Sequence, residues 1–217
     1  MTRNRALLLG LIMVLAALAI SGRAYPLLPD RVPTHWDIAG NPNAYSSRLV
    51  ASVLTPGIMG ILWLFMLLLP AISPRGFRLG ESSGIFYTAM LAVIGFSLLM
   101  HVMLIRAALT DGRPSMPLLF AALGALLAVI GALLGKVKKN FWFGVRTPWT
   151  LASDEVWLRT NRLAGRLFVA GGIIIVLTSF AGKIAIAVLI AVVTVIALFS
   201  IVYSYVVYRR IEGFGSE

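Results

Sequence analysis

The sequence predicts an all-α polytopic membrane protein with six transmembrane helices and with both termini in the cytoplasm. The chain is 59% hydrophobic and only 12% charged, and its mean hydropathy is +0.93. This composition excludes an ordinary soluble domain. The apolar runs approach or exceed about 18 residues, which is enough to cross the hydrocarbon core of a bilayer. Lipid offers no partners to backbone groups, so uninterrupted runs of this length favour helices over a β-barrel.

Six apolar runs define these helices in order along the chain. The first follows Arg3 and Arg5 and resembles a signal peptide, but the sequence after it lacks a small-x-small cleavage site, so we interpret it as a retained helix. The fifth contains Arg166 near its start, where a long side chain can extend to the interface. The runs cover residues 6–22, 50–72, 84–105, 117–135, 163–182 and 184–208.

The placement of Lys and Arg predicts the orientation of the chain in the membrane. With the N-terminus inside, thirteen of the 19 basic residues lie on the cytoplasmic side, Arg75 and Arg78 among them, as the positive-inside rule requires. The net charge of +11 then reflects a basic face on anionic membrane lipids, and it implies no direct nucleic acid partner. The sequence holds no cysteine, Walker loop or Rossmann glycine fingerprint, so no cofactor is predicted.

Two long polar connections suggest a division into two units. Residues 1–80 form an N-terminal two-span unit whose outer loop, 23–49, contains four prolines that forbid a continuous helix and favour a rigid fold. Residues 81–217 form a four-span unit with a cytoplasmic loop at 136–162. In that loop Ser153 is a suitable N-cap, so we expect a short amphipathic cytoplasmic helix that begins there and lies on the inner surface, close enough to the fifth span to run into it.

A stripe of small residues runs along the fourth span and includes a GxxxG pair, Gly131 and Gly135. Such a stripe lets a second helix approach closely. The sequence leaves two uses open, which are packing within the monomer and the face of a homo-oligomer.

Few polar residues could carry chemistry. His35 and Asp37 lie in the outer loop and His101 lies in the outer part of the third span, so these three are weak candidates for a metal site. The simpler alternative is that His35 orders the loop and that His101 makes a polar contact between helices. Arg146 stands among aromatic residues. We expect it to stack between them and to pair with a nearby acid, Asp154 or Glu155.

Two sequence motifs resemble known families. LPDRVPTHWDIAGNPNAYSSR, after the first span, resembles a bacterial membrane domain of unknown function. KKNFWFGVRTPWTLASDEVWLRTNRLAGRLF resembles the hallmark of the SdpI immunity-protein family, with its N-x-x-x-G-x-R-T-P-W-T-L-x-S core. The resemblance implies a non-enzymatic, six-span protein of the bacterial inner membrane. It further implies protection from a secreted toxic peptide, and signalling through capture of a cytosolic transcription repressor.

The residues of these motifs are the predicted sites, and none is predicted to be catalytic. Two other classes of function stay open. A small transporter of amphipathic compounds should show ionisable residues near the middle of the bilayer, and a membrane-embedded metal-dependent enzyme would use His35 and Asp37. The extracytoplasmic motif comprises Pro33, Thr34, His35, Trp36, Asp37 and Gly40; the cytoplasmic motif comprises Asn140, Gly144, Arg146, Thr147, Pro148, Trp149, Thr150, Leu151, Ser153, Asp154, Glu155 and Trp157.

Overall fold

The computed structural model describes residues 1–37, 39–73, 79–110 and 112–213. Arg75 and Arg78, which contributed to the predicted orientation, lie outside these ranges. Short 3₁₀ turns at Tyr25–Leu27 and Gly80–Ser82 precede the outer hairpin and the third long helix. The other elements are α1 (Arg3–Ala24), β1 (Arg31–Trp36), β2 (Pro42–Ser47), α2 (Arg48–Ile72), α3 (Ser83–Leu109), α4 (Met116–Leu134), α5 (Pro148–Ala152), α6 (Asp154–Thr178) and α7 (Lys183–Ile211).

Within the described residues, six helices are long and apolar enough to cross a membrane, and only the five-residue α5 is not. This confirms the predicted all-α polytopic fold with six spans, while the orientation of the termini stays a prediction. The amphipathic segment is continuous with the fifth span, because α6 begins at Asp154 and runs unbroken to Thr178. Its first turns expose Arg159 and Arg162 while Trp157 is fully buried on the opposite face. The short amphipathic helix is therefore not an element additional to the six spans, because it is the cytoplasmic end of a membrane helix.

The long helices pack in two groups. Helices α1, α2 and α3 contact one another, α6 packs against both α4 and α7, and α3 makes a smaller contact with α4. The division predicted at residue 80 assigned α3 to the second unit, whereas in the structure α3 packs mainly on α1 and α2. Large apolar side chains remain exposed along the outside of the bundle, as expected for helices that face lipid.

Helices α4 and α6 approach each other closely at glycines. A Cβ atom added to Gly131 would lie 2.6 Å from the Cβ atom of Phe168 and 2.7 Å from the carbonyl oxygen of Gly165. These distances are too short for any side chain, so the glycines permit the contact. At Gly135 an added Cβ atom would meet its nearest neighbour at 3.6 Å, which is an ordinary contact. The small-residue stripe thus serves packing within the monomer.

The outer loop folds as a β-hairpin, which the sequence did not predict. Strands β1 and β2 pair antiparallel, with Arg31 opposite Ser47 and Trp36 opposite Pro42. A two-stranded sheet tolerates proline because both of its strands are edges. Val32 is fully buried in an apolar cluster beneath the hairpin. In the predicted orientation the hairpin lies on the outer face, the connection between α4 and α6 lies on the cytoplasmic face, and we name the two faces accordingly.

Candidate functional site

The extracytoplasmic motif forms the first strand of the hairpin and its turn. Pro33, Thr34, His35 and Trp36 belong to β1, and Asp37 and Gly40 belong to the turn. The Asp37 carboxylate accepts the backbone N–H groups of Ala39 and Asn41 at 2.8 and 2.9 Å. The backbone N–H of Asn41, more than any other group, lowers the pKa of Asp37. Gly40 has a φ of 80°, a conformation that glycine adopts most readily. These residues therefore fix the shape of the turn.

The hairpin is fastened to the connection between α3 and α4. The indole N–H of Trp36 donates to the carbonyl oxygen of Gly112 at 2.6 Å. On the same connection, the guanidinium of Arg113 donates to the side-chain oxygen of Asn41 at 3.1 Å. The hairpin is thus attached to the α3–α4 connection, which joins the first helix group to the second.

The two histidines and Asp37 have different partners. The Nδ1 atom of His35 lies 2.6 Å from the side-chain oxygen of Asn43, on the exposed hairpin. His101 is fully buried, with its Nε2 atom 2.9 Å from the hydroxyl of Ser21, which donates to the carbonyl oxygen of Ser52 at 2.6 Å. His35 therefore orders the loop, and His101 contributes to a polar contact among α1, α2 and α3. The described residues contain no group of three or more His, Cys, Asp or Glu placed to hold a metal ion.

Asn140 organises the start of the cytoplasmic motif. Its side chain is fully buried. Its amide nitrogen donates to the carbonyl oxygens of Lys138 and Phe143, both at 2.9 Å. Its amide oxygen accepts the backbone N–H groups of Trp142 and Phe143, both at 2.8 Å. A single side chain thus satisfies four backbone groups and closes a tight loop that has no regular secondary structure.

Trp157 and Asn161, on the first turns of α6, support the next part of the motif. Trp157 is fully buried, and its indole N–H donates to the carbonyl oxygen of Val137 at 2.8 Å. The side-chain oxygen of Asn161 accepts the backbone N–H of Val145 at 2.8 Å. Gly144 passes close to the indole of Trp157 with a φ of 136°, and a Cβ atom there would lie 2.7 Å from two carbon atoms of the ring. The backbone conformation and the close approach both require glycine.

The Thr-Pro-Trp-Thr segment forms the short helix α5 and attaches the motif to α7. Thr147 and Thr150 form a capping box: the hydroxyl of Thr147 accepts the backbone N–H of Thr150 at 3.2 Å, and the reciprocal distance is 2.8 Å. Pro148 occupies the first turn, where it lacks no hydrogen bond. The hydroxyl of Thr147 also donates to Ser204 of α7 at 3.0 Å. The Trp149 ring, which follows Pro148, packs edge-on against the ring of Tyr205 at 5.1 Å.

Ser153 caps α6 as predicted, since its side chain accepts the backbone N–H of Val156. The two acids that follow do not pair with Arg146. Asp154 pairs with Lys139 at 2.5 Å, and Glu155 pairs with Arg159 at 2.6 Å. Each acid has a nearer cation, because the Asn140 loop returns Lys139 to the start of α6 and because Arg159 lies one helical turn beyond Glu155. The predicted ion pair of Arg146 is therefore wrong.

Arg146 instead projects from the loop as an exposed side chain. Its guanidinium donates to the carbonyl oxygen of Phe141 and lies 5.9 Å from the centroid of the Phe141 ring. It stacks on this one ring and not between two, and no acid in the described part of the chain neutralises it. A cavity of about 270 Å³ beside it is bounded by Thr147 and by apolar side chains of α4, α6 and α7, including Phe168 and Ile201. A partly buried loop thus presents one cation at the edge of an apolar cavity.

The same loop also joins the two helix groups on the cytoplasmic side. The indole N–H of Trp142 donates to the hydroxyl of Ser73, at the end of α2, at 2.6 Å. The backbone N–H of Lys138 donates to the hydroxyl of Ser82, just before α3, at 2.9 Å. The motif therefore contacts helices from both groups.

The sequence did not identify all the residues that hold these sites. Asn161 is buried and supports the Gly144 turn, and its position on the same helical face as Trp157 and Ala164 was a usable signal. Gly112 and Ser204 act as partners through contacts that join distant parts of the chain, and no local pattern marks them. Asn43 meets His35 across the hairpin, whose pairing the sequence did not predict.

Comparison with known proteins agrees with both motifs. Residues 136–204 match the SdpI/YfhL protein family, and residues 12–60 match a domain of unknown function, DUF1648. The chain is 27% identical to Immunity protein SdpI of Bacillus subtilis (strain 168) over 211 residues, which cover 95% of this chain and 97% of that protein. It is 37% identical over 46 residues to Uncharacterized membrane protein YbgB of the same organism, covering 21% of this chain and 50% of that protein.

No solved structure matches the chain significantly. The two family regions nevertheless contain the two structured connections, since the hairpin lies within 12–60 and the cytoplasmic motif within 136–204. The chain is therefore a multi-pass bacterial membrane protein whose residues 136–204 match the SdpI/YfhL protein family and whose residues 12–60 match DUF1648, in agreement with the two motifs.

Proposed function

We propose that this chain is a non-enzymatic immunity protein that protects its cell from a secreted toxic peptide. The observation that carries the proposal is the similarity to Immunity protein SdpI over 95% of the chain. A match of that extent includes the six spans, the hairpin and the cytoplasmic motif together, and not one shared segment. A function that depends on both faces of the membrane is therefore the natural one to transfer.

In this proposal the outer hairpin meets the toxic peptide. The hairpin is held at its turn by Asp37 and at its edge by Trp36, so binding would not have to order it first. Beneath it lies a cavity of about 340 Å³, lined in part by Met100, Met103 and Met116. Methionine side chains adapt to irregular apolar surfaces, which suits the apolar face of an amphipathic peptide.

Helices α4 and α6 connect the outer hairpin to the cytoplasmic loop, so peptide binding outside would change the loop inside. The hairpin holds the connection that begins α4, and α4 packs on α6 through glycines that leave no space for independent movement. The cytoplasmic loop is fixed to α6 by Trp157 and Asn161. A displacement of α4 would therefore reach the loop that presents Arg146, and that loop would capture a cytosolic repressor.

Complementation tests the immunity proposal. Bacillus subtilis cells that lack Immunity protein SdpI would express this chain and be mixed with cells that secrete the killing peptide. We expect survival well above that of cells carrying an empty vector, with the native immunity protein as the positive control. If this chain reaches the same membrane abundance as the native protein and gives no protection, immunity toward that class of peptide is contradicted.

Repressor capture needs a separate readout. Ala152 is exposed at the end of α5, so a photo-crosslinking residue there samples the cytoplasmic surface of the motif and keeps the ring on which Arg146 stacks. We expect crosslinks to a DNA-binding protein in toxin-exposed cells and none in unexposed cells. Protected cells that show no toxin-dependent crosslink would limit the proposal to immunity alone.

A further inference from the structure

A groove runs along the glycine contact between α4 and α6 on the cytoplasmic half of the bundle. Its volume is about 510 Å³. The backbone of Gly131, Gly135 and Gly165 contributes its floor, which is shallow because these residues have no side chains. Val169 and Ile173 line the end of the groove that lies nearer the bilayer centre. With a rise of about 1.5 Å per residue, α6 carries the groove roughly 10 Å from Arg166 to Ile173 toward the bilayer centre.

Three cations surround the cytoplasmic mouth of this groove. Arg162 and Arg166 lie one helical turn apart on α6, and Lys136 follows the end of α4. All three are exposed, and no acid pairs with them in the described ranges of the chain. Neighbouring cations differ in this respect, because Lys139 and Arg159 are each neutralised by an acid. The three positive charges at the mouth of the groove are thus available to an anionic ligand.

A cationic mouth that leads into an apolar groove matches the two parts of an anionic phospholipid. Basic pockets between transmembrane helices on the cytoplasmic side suit anionic head groups, and an acyl chain suits an apolar channel that opens to the bilayer. We propose that this groove binds one anionic phospholipid. Its phosphate contacts Arg162, Arg166 and Lys136, and one acyl chain lies on the glycine floor toward Ile173.

This site differs from the general attraction of a basic surface to lipid. A diffuse attraction acts on any exposed cation at the membrane surface, including Arg209 and Arg210 at the end of α7. Binding of a lipid in the groove requires, in addition, that the apolar part of the groove is not filled by a side chain. Ala170 lines the groove and is exposed, so a larger side chain there would fill the groove without changing any charge.

Native mass spectrometry of the full-length protein in detergent tests the site. The protein is titrated with phosphatidylglycerol and with phosphatidylcholine of the same acyl chains, and bound lipid is counted. The double variant Arg162→Gln/Arg166→Gln should bind phosphatidylglycerol about 25-fold more weakly, since each cation that contacts the phosphate contributes roughly fivefold. Ala170→Phe should weaken binding of the same lipid, and it still tests the groove if the double variant fails to fold.

Two matched controls separate a groove from a surface effect. Arg209→Gln/Arg210→Gln removes the same charge elsewhere on the cytoplasmic face, and Ala19→Phe enlarges an exposed alanine of α1. Both should retain wild-type affinity for phosphatidylglycerol. Equal affinity of the wild type for the two lipids, an equal loss in the Arg209/Arg210 variant, or wild-type affinity in both groove variants would overturn the proposal. Displacement of the lipid by millimolar inorganic phosphate would also overturn it, because the site would then recognise phosphate alone.

Discussion

Replacement of Asn140 by alanine removes the side chain that closes the cytoplasmic loop. The amide makes four hydrogen bonds of 2.8 to 2.9 Å to backbone groups, and it is fully buried. Each such bond contributes about 0.5–1.5 kcal/mol net, so the sum is on the order of 2–6 kcal/mol. Water that enters the space left by the amide would recover part of this loss. We therefore expect Asn140→Ala to destabilise the protein by about 3 kcal/mol.

The assay is thermal unfolding of the purified protein in detergent, followed by its helical circular dichroism. For a chain of this size, about 3 kcal/mol corresponds to a decrease of roughly 6–12 °C in the unfolding midpoint. Asn140→Asp should be at least as destabilising, because a carboxylate in that place faces the carbonyl oxygens of Lys138 and Phe143 and cannot donate to them. Asn4→Ala, at an exposed position of α1, is the matched control and should leave the midpoint nearly unchanged. A midpoint for Asn140→Ala equal to that of wild type would refute the argument that this amide organises the loop.

Three further predictions follow from the contacts between elements. Gly131→Ala should lower the unfolding midpoint, because overpacking costs about 1–3 kcal/mol, while Gly135→Ala should be tolerated at its 3.6 Å separation. Trp36→Phe keeps the aromatic ring but loses the 2.6 Å hydrogen bond to the α3–α4 connection, so hydrogen exchange in the hairpin should become faster. In this cysteine-free chain, Asn43→Cys should react with an impermeant thiol reagent on intact cells, and Lys138→Cys only after the membrane is opened.

Each of these has an outcome that would count against its premise. Equal midpoints for the two glycine variants would mean that α4 and α6 can separate at no cost. Unchanged exchange in the hairpin of Trp36→Phe would mean that the indole hydrogen bond does not hold it, and Tyr45→Phe, which keeps an exposed ring, is its control. Labelling of Asn43→Cys only after permeabilisation would reverse the predicted orientation and exchange the roles of the two faces.

The membrane helices could be predicted from the sequence because length and apolarity are local properties. Six uninterrupted runs specified six spans, and Ser153 marked the start of α6 because an N-cap needs only its own residue and the next turn. The glycines of α4 could be identified as a close-contact stripe for the same reason. The partner helix could not, since Gly131 would fit against any helix with a small-residue face.

The contacts that the sequence did not predict join residues far apart in the chain. Arg146 was expected to pair with Asp154 or Glu155, but the loop around Asn140 places Lys139 beside the first acid. The hairpin was not predicted because Pro33 and Pro42 are unfavourable in most strands. They are tolerated here because both strands are sheet edges. The packing of α3 on α1 and α2 depends on side-chain fit, and the lengths of the connections do not encode it.

The central claim is that an immunity protein presents Arg146 on a rigid cytoplasmic loop. A survival assay with Arg146 variants tests this claim most directly. Arg146→Lys keeps the charge but loses the planar guanidinium that stacks on Phe141 and donates to its carbonyl oxygen. Because the side chain is exposed, membrane abundance and the unfolding midpoint should stay at wild-type values. We predict that cells expressing the wild-type chain survive the secreted peptide, while Arg146→Lys and Arg146→Ala protect poorly and to a similar extent. Full protection by Arg146→Lys at equal abundance would contradict the claim, because Arg146 would then serve only as one positive charge on the cytoplasmic face.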